Sequence, residues 1–301
     1  MLKRIISAHE HLGYSRLYFE NGTYTEYNSH PDKLKADLSS LKKYNSTRKI
    51  GCIIYPQMPY NQYHFSEDYR YISSKEINEE FYSMIDFCSS INWYPFIYLR
   101  VTDDWRTNET LIKKYQNKAF GIKLHPDAEQ AEPEDFIKSK IFDLAEIYNK
   151  PITIHCARPG RGMDLGVVYD TLIDNMAVCS IGINLAHIGF LHSYMLQKEF
   201  PENIYFDLSP FGIIEDNLNY VEVETYSFDN LIIKILMKHG QKLMYGEDFP
   251  YNLQKWEDGS IHGRSREDDL KVLIELLNRA GVDPDDIFYN NATRFLNITS
   301  N

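Results

Sequence analysis

Arg4-Ile5-Ile6-Ser7-Ala8-His9-Glu10-His11 decides how the rest of the chain is read: a short apolar run ends in two histidines one residue apart. Alternation along a strand sends residues two apart to the same face. His9 and His11 would therefore project together, while Ala8 and Glu10 face the other way. Counting residues 4–8 as the first, seven more such runs follow, at 49–55, 94–101, 120–124, 152–155, 183–187, 204–208 and 243–246. Each is too short for an amphipathic helix. Between them lie stretches of helical period near 31–45, 74–91, 107–117, 133–149, 165–178, 191–200, 228–239 and 265–280. Pro31 and Pro133 suit first-turn positions, and Asp32, Glu134 and Asp135 complement the helix dipole there. Parallel strands covered by helices produce this alternation. Eight strand–helix pairs and one terminal helix predict an α/β protein with the (β/α)8 TIM barrel fold. No linker-like stretch, repeat or low-complexity tract divides residues 1–301, so a single domain is expected. An open doubly wound sheet is the competing architecture.

Composition narrows the function. A hydrophobic content of 43% with 14% aromatic residues is ample for one large core. The net charge of −11, with lysines and arginines scattered, would repel a phosphate backbone, so nucleic acid is not an expected partner. Cys52, Cys88, Cys156 and Cys179 form no CxxC pair, which argues against both a thiolate zinc site and a disulfide scaffold. His9 falls where an export signal would need its apolar stretch, and no run approaches membrane-spanning length. The expectation is a soluble cytoplasmic protein with no membrane partner.

Active groups of such barrels sit at the C-terminal ends of strands, so the residue that terminates each run matters most. The first run ends in His9 and His11, the fourth in Lys123 and His125, the fifth in His155 and the sixth in His187. The seventh ends in Asp207 and Ser209, and the eighth in Glu247 and Asp248. Parity places Thr153 and His155 inward in the fifth run, Leu185 and His187 inward in the sixth, and Met244, Gly246 and Asp248 inward in the eighth. A lone histidine beside apolar residues is ordinarily a packed side chain. Imidazoles and carboxylates gathered at one end of one barrel are costly to bury without a cation. His9, His11, His155 and Asp248 give three imidazoles and one carboxylate, a catalytic shell for Zn2+ or a similar ion with a position left for water.

At these motifs the sequence resembles the amidohydrolase superfamily, and within it the amidohydrolase-2 branch related to aminocarboxymuconate-semialdehyde decarboxylase. The resemblance lies in Ile6–Gly13, Gly121–Pro126, Ile152–His155, Leu185–Gly189, Tyr245–Pro250 and the closing Asn290–Leu296. It implies that His9, His11, His155 and Asp248 ligate one metal per chain, that His187 acts on bound water or substrate, and that the protein is a homodimer. The branch commonly has Asp two residues before its first motif histidine and Ser or Thr before its last aspartate. Here those positions are Ser7 and Glu247. In some binuclear amidohydrolases a strand-four lysine is carboxylated to bridge two metals, which makes a carboxylated Lys123 with a second metal the alternative to a lysine that orients substrate.

Arg158 and Arg161, in the turn-rich loop after His155, and Arg100, ending the third run, are candidates to grip a substrate carboxylate, as are Lys123 and His125. Residues 13–30 and 56–73 read as polar loops, with Tyr14, Tyr18, Tyr55, Tyr60 and Tyr63 lining or covering the site, and residues 256–265 as a mobile rim segment. The chemistry expected is hydrolysis of an amide, lactone or ester in a small carboxylate-bearing molecule, Asp248 or His187 taking the proton. Non-oxidative decarboxylation is the alternative. A TatD-like nuclease would place a glutamate where Lys123 and His125 stand, and a barrel that binds ligand without turnover would not need every metal position intact.

Overall fold

The computed structural model describes residues 2, 4–18, 24–44, 50–57, 73–85, 91–156, 163–190, 194–216, 227–255 and 259–298. Its main sheet contains β1 (Ile5–Tyr18), β2 (Tyr24–Ser29), β3 (Ile50–Pro56), β4 (Asn92–Tyr98), β5 (Gly121–Leu124), β6 (Ile152–Ile154), β7 (Ile183–Leu185), β8 (Ile204–Asp207) and β9 (Leu243–Met244). The order is β2-β1-β3-β4-β5-β6-β7-β8-β9. Only β2 pairs antiparallel, with the outer half of β1. The remaining strands are all parallel, and the segment after β9 closes them onto β1. Ala8 N donates to Tyr245 O at 2.7 Å, Asp248 N to His9 O at 2.7 Å and His11 N to Phe249 O at 2.9 Å. Eight parallel strands thus form a closed (β/α)8 barrel, and the open sheet is excluded.

Around it lie α1 (Pro31–Ser39), α2 (Ser74–Ile85), α3 (Trp105–Tyr115), α4 (Pro126–Glu129), α5 (Pro133–Lys138), α6 (Ile141–Ile147), α7 (Leu165–Ala177), α8 (Tyr194–Gln197), α9 (Phe211–Asp216), α10 (Phe228–His239), α11 (Arg266–Ala280) and α12 (Asn291–Phe295). Side-chain caps fix several starts: Asp104 accepts from Arg106 N and Thr107 N, and Ser265 from Asp268 N. Strand residues Ile122, Ile152, Ile154, Ile183 and Leu185 pack outward against helix residues such as Leu111, Leu144, Leu172 and Leu277. Inside the barrel, Ile6, Ala8, Ile53, Tyr55, Phe96, Tyr205 and Met244 form a second apolar cluster, closed by Ala292, Phe295 and Leu296. No helix among the described residues is long and apolar enough to cross a membrane.

Several expectations change. Ala8 joins the interior cluster instead of facing the helices, because the pairing of β1 with β3 shifts register between Ser7 and Glu10. This β-bulge lets Ala8 and His9, neighbours in sequence, both contribute to the interior. Residues 13–30 are not a loop: much of the stretch is a hairpin in which Gly13 pairs with Ser29 and Tyr14 with Asn28. The helix expected over 133–149 breaks into α5 and α6 at Lys140, whose φ of 52° lies in the left-handed region. Of the one expected over 191–200, the described residues 194–200 form only α8, and 191–193 lie outside the described residues. The rim segment contributes β11 (Ile261–Gly263), paired with β10 (Leu253–Lys255), and residues 256–258 lie outside the described residues.

Candidate metal centre

Three ligand atoms converge where β1 leaves the barrel beside the segment that follows β9. His9 Nε2 lies 3.2 Å from His11 Nε2 and 3.6 Å from Asp248 Oδ1, and His11 Nε2 lies 3.1 Å from the same oxygen. Both rings are oriented from behind. His9 Nδ1 donates to Asp207 Oδ2 at 3.0 Å, and His11 Nδ1 to Pro56 O at 3.2 Å. Each ring therefore turns its Nε2 toward the other and toward Asp248, an arrangement that orients metal-ligating histidines. Burial, aided by the nearby Lys123, brings the pKa of His9 down to about 3, so the ring is neutral at physiological pH. Burial opposes ionisation of Asp248, yet the surrounding His11, His9 and His187 rings hold its pKa at about 2. Asp248 Oδ1 is nevertheless a buried oxygen without a hydrogen-bond donor. Two imidazole nitrogens facing an orphaned carboxylate oxygen fit a divalent cation.

The bulge in β1 directs both histidines inward, and Gly246 leaves them room. A Cβ at Gly246 would lie 2.9 Å from the His9 Cβ and 3.2 Å from the Ser209 Cβ. Asp248 adopts φ 58°, in the left-handed region, as its amide bonds to His9 O.

His155 does not join these three. Its Nδ1 contacts His187 Nε2 at 3.0 Å, its Nε2 lies 3.7 Å from Asp127 Oδ2, and its ring stacks on His125 at 3.7 Å between centroids. His187 Nδ1 donates to Ser209 O at 2.6 Å, which leaves Nε2 as the acceptor toward His155. Burial lowers the pKa of His125, His155 and His187 alike. His187 faces the cavity, with its ring 4.7 Å from that of His9, but not by strand parity. Asn184 is the inward residue of β7 and Leu185 packs outward; His187 follows on a turn at φ 64° that swings its side chain back.

Lys123 is 1% exposed, with Nζ 3.3 Å from His9 Nε2 and 4.5 Å from the centre of the Tyr55 ring. Burial brings its pKa down to about 8, although Asp207 and Asp248 oppose the change. His125 Nδ1 accepts from Ala128 N, so its Nε2 carries the hydrogen. Arg100 is buried at the end of β4 and interacts electrostatically with Glu129. Tyr55 lies beneath the site, not in a covering loop, its hydroxyl 2.9 Å from Thr153 Oγ1. The hydroxyl of Tyr14 donates to Glu26 Oε1 at 2.6 Å on the β1–β2 hairpin. Arg158, Arg161, Tyr60 and Tyr63 lie outside the described residues, as does the Tyr18 side chain.

Two residues were given no role by sequence reasoning. Asp207 accepts from His9, from Asn184 Nδ2 at 2.7 Å, from His187 N at 3.2 Å and from Ser209 Oγ. Against the effect of burial, His9 and these donors hold its carboxyl well below the usual range. Its place at the end of the seventh run was a signal. Arg266, at the start of α11, gave none.

No protein-family model matches the sequence, and no curated protein matches it. Solved structures do match over nearly the whole chain. The apo IDCase of Metarhizium anisopliae is 14% identical, covers 98% of this chain and 97% of its own, and has a TM-score of 0.54. The 5-carboxyvanillate decarboxylase of Novosphingobium aromaticivorans, complexed with manganese and 4-hydroxy-3-methoxy-5-nitrobenzoic acid, is 12% identical over 98% and 96% of the two chains, at a TM-score of 0.56. The β-aspartyl dipeptidase of Fervidobacterium islandicum AW-1, with a β-Asp-Leu dipeptide, is 12% identical over 98% of this chain and 73% of its own, at 0.55. These likenesses establish a shared fold.

Proposed function

We propose that this protein is a metal-dependent hydrolase of the amidohydrolase type, cleaving an amide, lactone or ester bond in a small substrate that carries a carboxylate. The observation that carries this reading is the convergence of His9 Nε2, His11 Nε2 and Asp248 Oδ1. These three hold one divalent metal, with Zn2+ as the expected ion, and His155 completes the set by giving up its bond to His187. A metal bound there supplies a Lewis acid that polarises a carbonyl and lowers the pKa of water toward neutrality. His187 is suited to take a proton at Nε2 because Ser209 O holds its other nitrogen. Asp248 is the second candidate for that role.

Lys123 supports the carboxylate. Among the described residues no acid lies within ion-pair distance of it, and a buried ammonium beside a divalent metal is repelled unless an anion lies between them. A substrate carboxylate meets that need, and the Nε2 hydrogen of His125 is a second donor. A carboxylated Lys123 bridging two metals, with His187 on the second, is the alternative. Arg158 and Arg161 are proposed as outer contacts to the same substrate on their sequence position alone, and Arg100 as one that acts from beside Glu129.

Non-oxidative decarboxylation is the second reading, favoured by the same lysine and by the likeness to 5-carboxyvanillate decarboxylase. Metal-reconstituted protein assayed against lactones, amides and aromatic carboxylates in H2(18)O separates the two. Hydrolysis places the heavy oxygen in the product, whereas decarboxylation releases CO2. A wild type that takes up no metal on reconstitution would overturn both. A cytoplasmic homodimer completes the proposal, with light scattering as the check on its oligomeric state.

A further inference from the structure

The geometry points to Arg266 as a positioning residue that holds the metal-facing carboxylate of Asp248 in place through Glu10; the inference rests on the metal reading above. Arg266 is 1% exposed, and its Nη1 donates to Glu10 Oε1 at 2.7 Å while its Nε donates to Asp37 of α1. Glu10, on β1 between His9 and His11, is wholly buried. Its other oxygen, Oε2, accepts from Phe249 N at 3.1 Å, and Phe249 O accepts from His11 N at 2.9 Å. The residue that follows Asp248 is therefore fastened to β1 twice, by its N–H to Glu10 and by its carbonyl to His11 N. That attachment holds the turn in which Asp248 takes its left-handed backbone.

The two positions at which the chain departs from the pattern it resembles lie on this same cluster. Ser7 Oγ donates to Glu10 and lies 3.5 Å from Arg266 Nη1. The Tyr245 hydroxyl, also 3.5 Å from Nη1, donates to Glu247 Oε1 at 2.9 Å. One arginine thus meets the residue before the bulge and the carboxylate between the histidines, and reaches the residue preceding Asp248 through the Tyr245 hydroxyl. Its reach to α1 and α11 anchors these groups to the outer helices.

The test compares Glu10→Gln, Arg266→Lys and Arg266→Met with wild type. Apo melting temperature, Zn2+ affinity by competition with a chromogenic chelator, and the visible absorption of the Co2+-loaded protein are measured on each. Glu10→Gln is expected to remain folded, bind Zn2+ about 10- to 100-fold more weakly, and show altered Co2+ bands. Arg266→Lys should recover part of the affinity that Arg266→Met loses; if the Met variant fails to fold, the Gln and Lys variants decide. Lower melting with wild-type affinity and unchanged Co2+ bands in Glu10→Gln and Arg266→Lys would reduce the cluster to a structural clamp and overturn the inference. A wild type that binds neither ion would instead overturn the metal reading, and this one with it.

Discussion

The lower and upper halves of the barrel interior use the same strands with opposite chemistry. Below, Ile6, Ala8, Ile53, Phe96, Tyr205 and Met244 pack onto Phe295 as an apolar plug. Above, His9, His11, Lys123, Thr153, Asn184 and Asp207 are equally buried but polar. The change takes one or two residues per strand: Ala8 gives way to His9 and Tyr205 to Asp207. Buried imidazoles and a lysine with no acid at ion-pair distance among the described residues contribute little to folding, so the plug and the outer core must supply the stability that the site does not.

His187→Asn tests the upper half most severely. With one metal bound, turnover should fall by about 10²- to 10⁴-fold while most of the metal is retained. Loss of one of two equivalents would mark His187 as a ligand, and full activity with full metal would leave it a packed side chain. Phe295→Ala tests the lower half: urea denaturation should show a loss of about 3–5 kcal/mol, with metal content unchanged in the folded protein. A loss of metal there would show that the halves are not separable. Asp207→Asn should weaken metal binding about 10- to 100-fold by chelator competition, because it removes the negative charge behind His9 and turns an NH2 group toward donors that one carboxylate oxygen now accepts from. Unchanged affinity would assign Asp207 to packing alone.

The smallest effect concerns pH. Burial pushes the carboxyl of Glu129 up to about 7, against its hydrogen bonds from Thr102 N and Tyr98 and the nearby Arg100. A raised acid is protonated in the folded state, so its contribution is fully present below the ordinary value of 4.5 and is lost as pH rises through about 7. Glu129→Gln should flatten that part of the stability curve, measured by denaturation between about pH 5 and about pH 8. An identical slope in both proteins would show that other groups set it.

The barrel was legible because strands buried on both faces read as nearly continuous apolar runs, such as Phe96-Ile97-Tyr98-Leu99 before Arg100, each ended by a polar residue. His9, His11 and Asp248 followed from those endings. What escaped has physical causes. Strict alternation cannot reveal the inserted residue of the β1 bulge, so Ala8 was assigned to the wrong face. It also misjudged how His187 is delivered, since a left-handed turn does the work attributed to parity. The placing of His155 against His125 and His187 depends on side-chain torsions that no spacing encodes. Arg266 meets Glu10 from 256 positions away along the chain, with nothing local to announce it.

His187 and Asp248 hold left-handed backbones that glycine or asparagine would adopt at lower cost, each residue giving up roughly 1–3 kcal/mol. A library of variants sorted for heat resistance alone would therefore drift toward Gly or Asn at these two positions, at the expense of the side chains the proposed site uses.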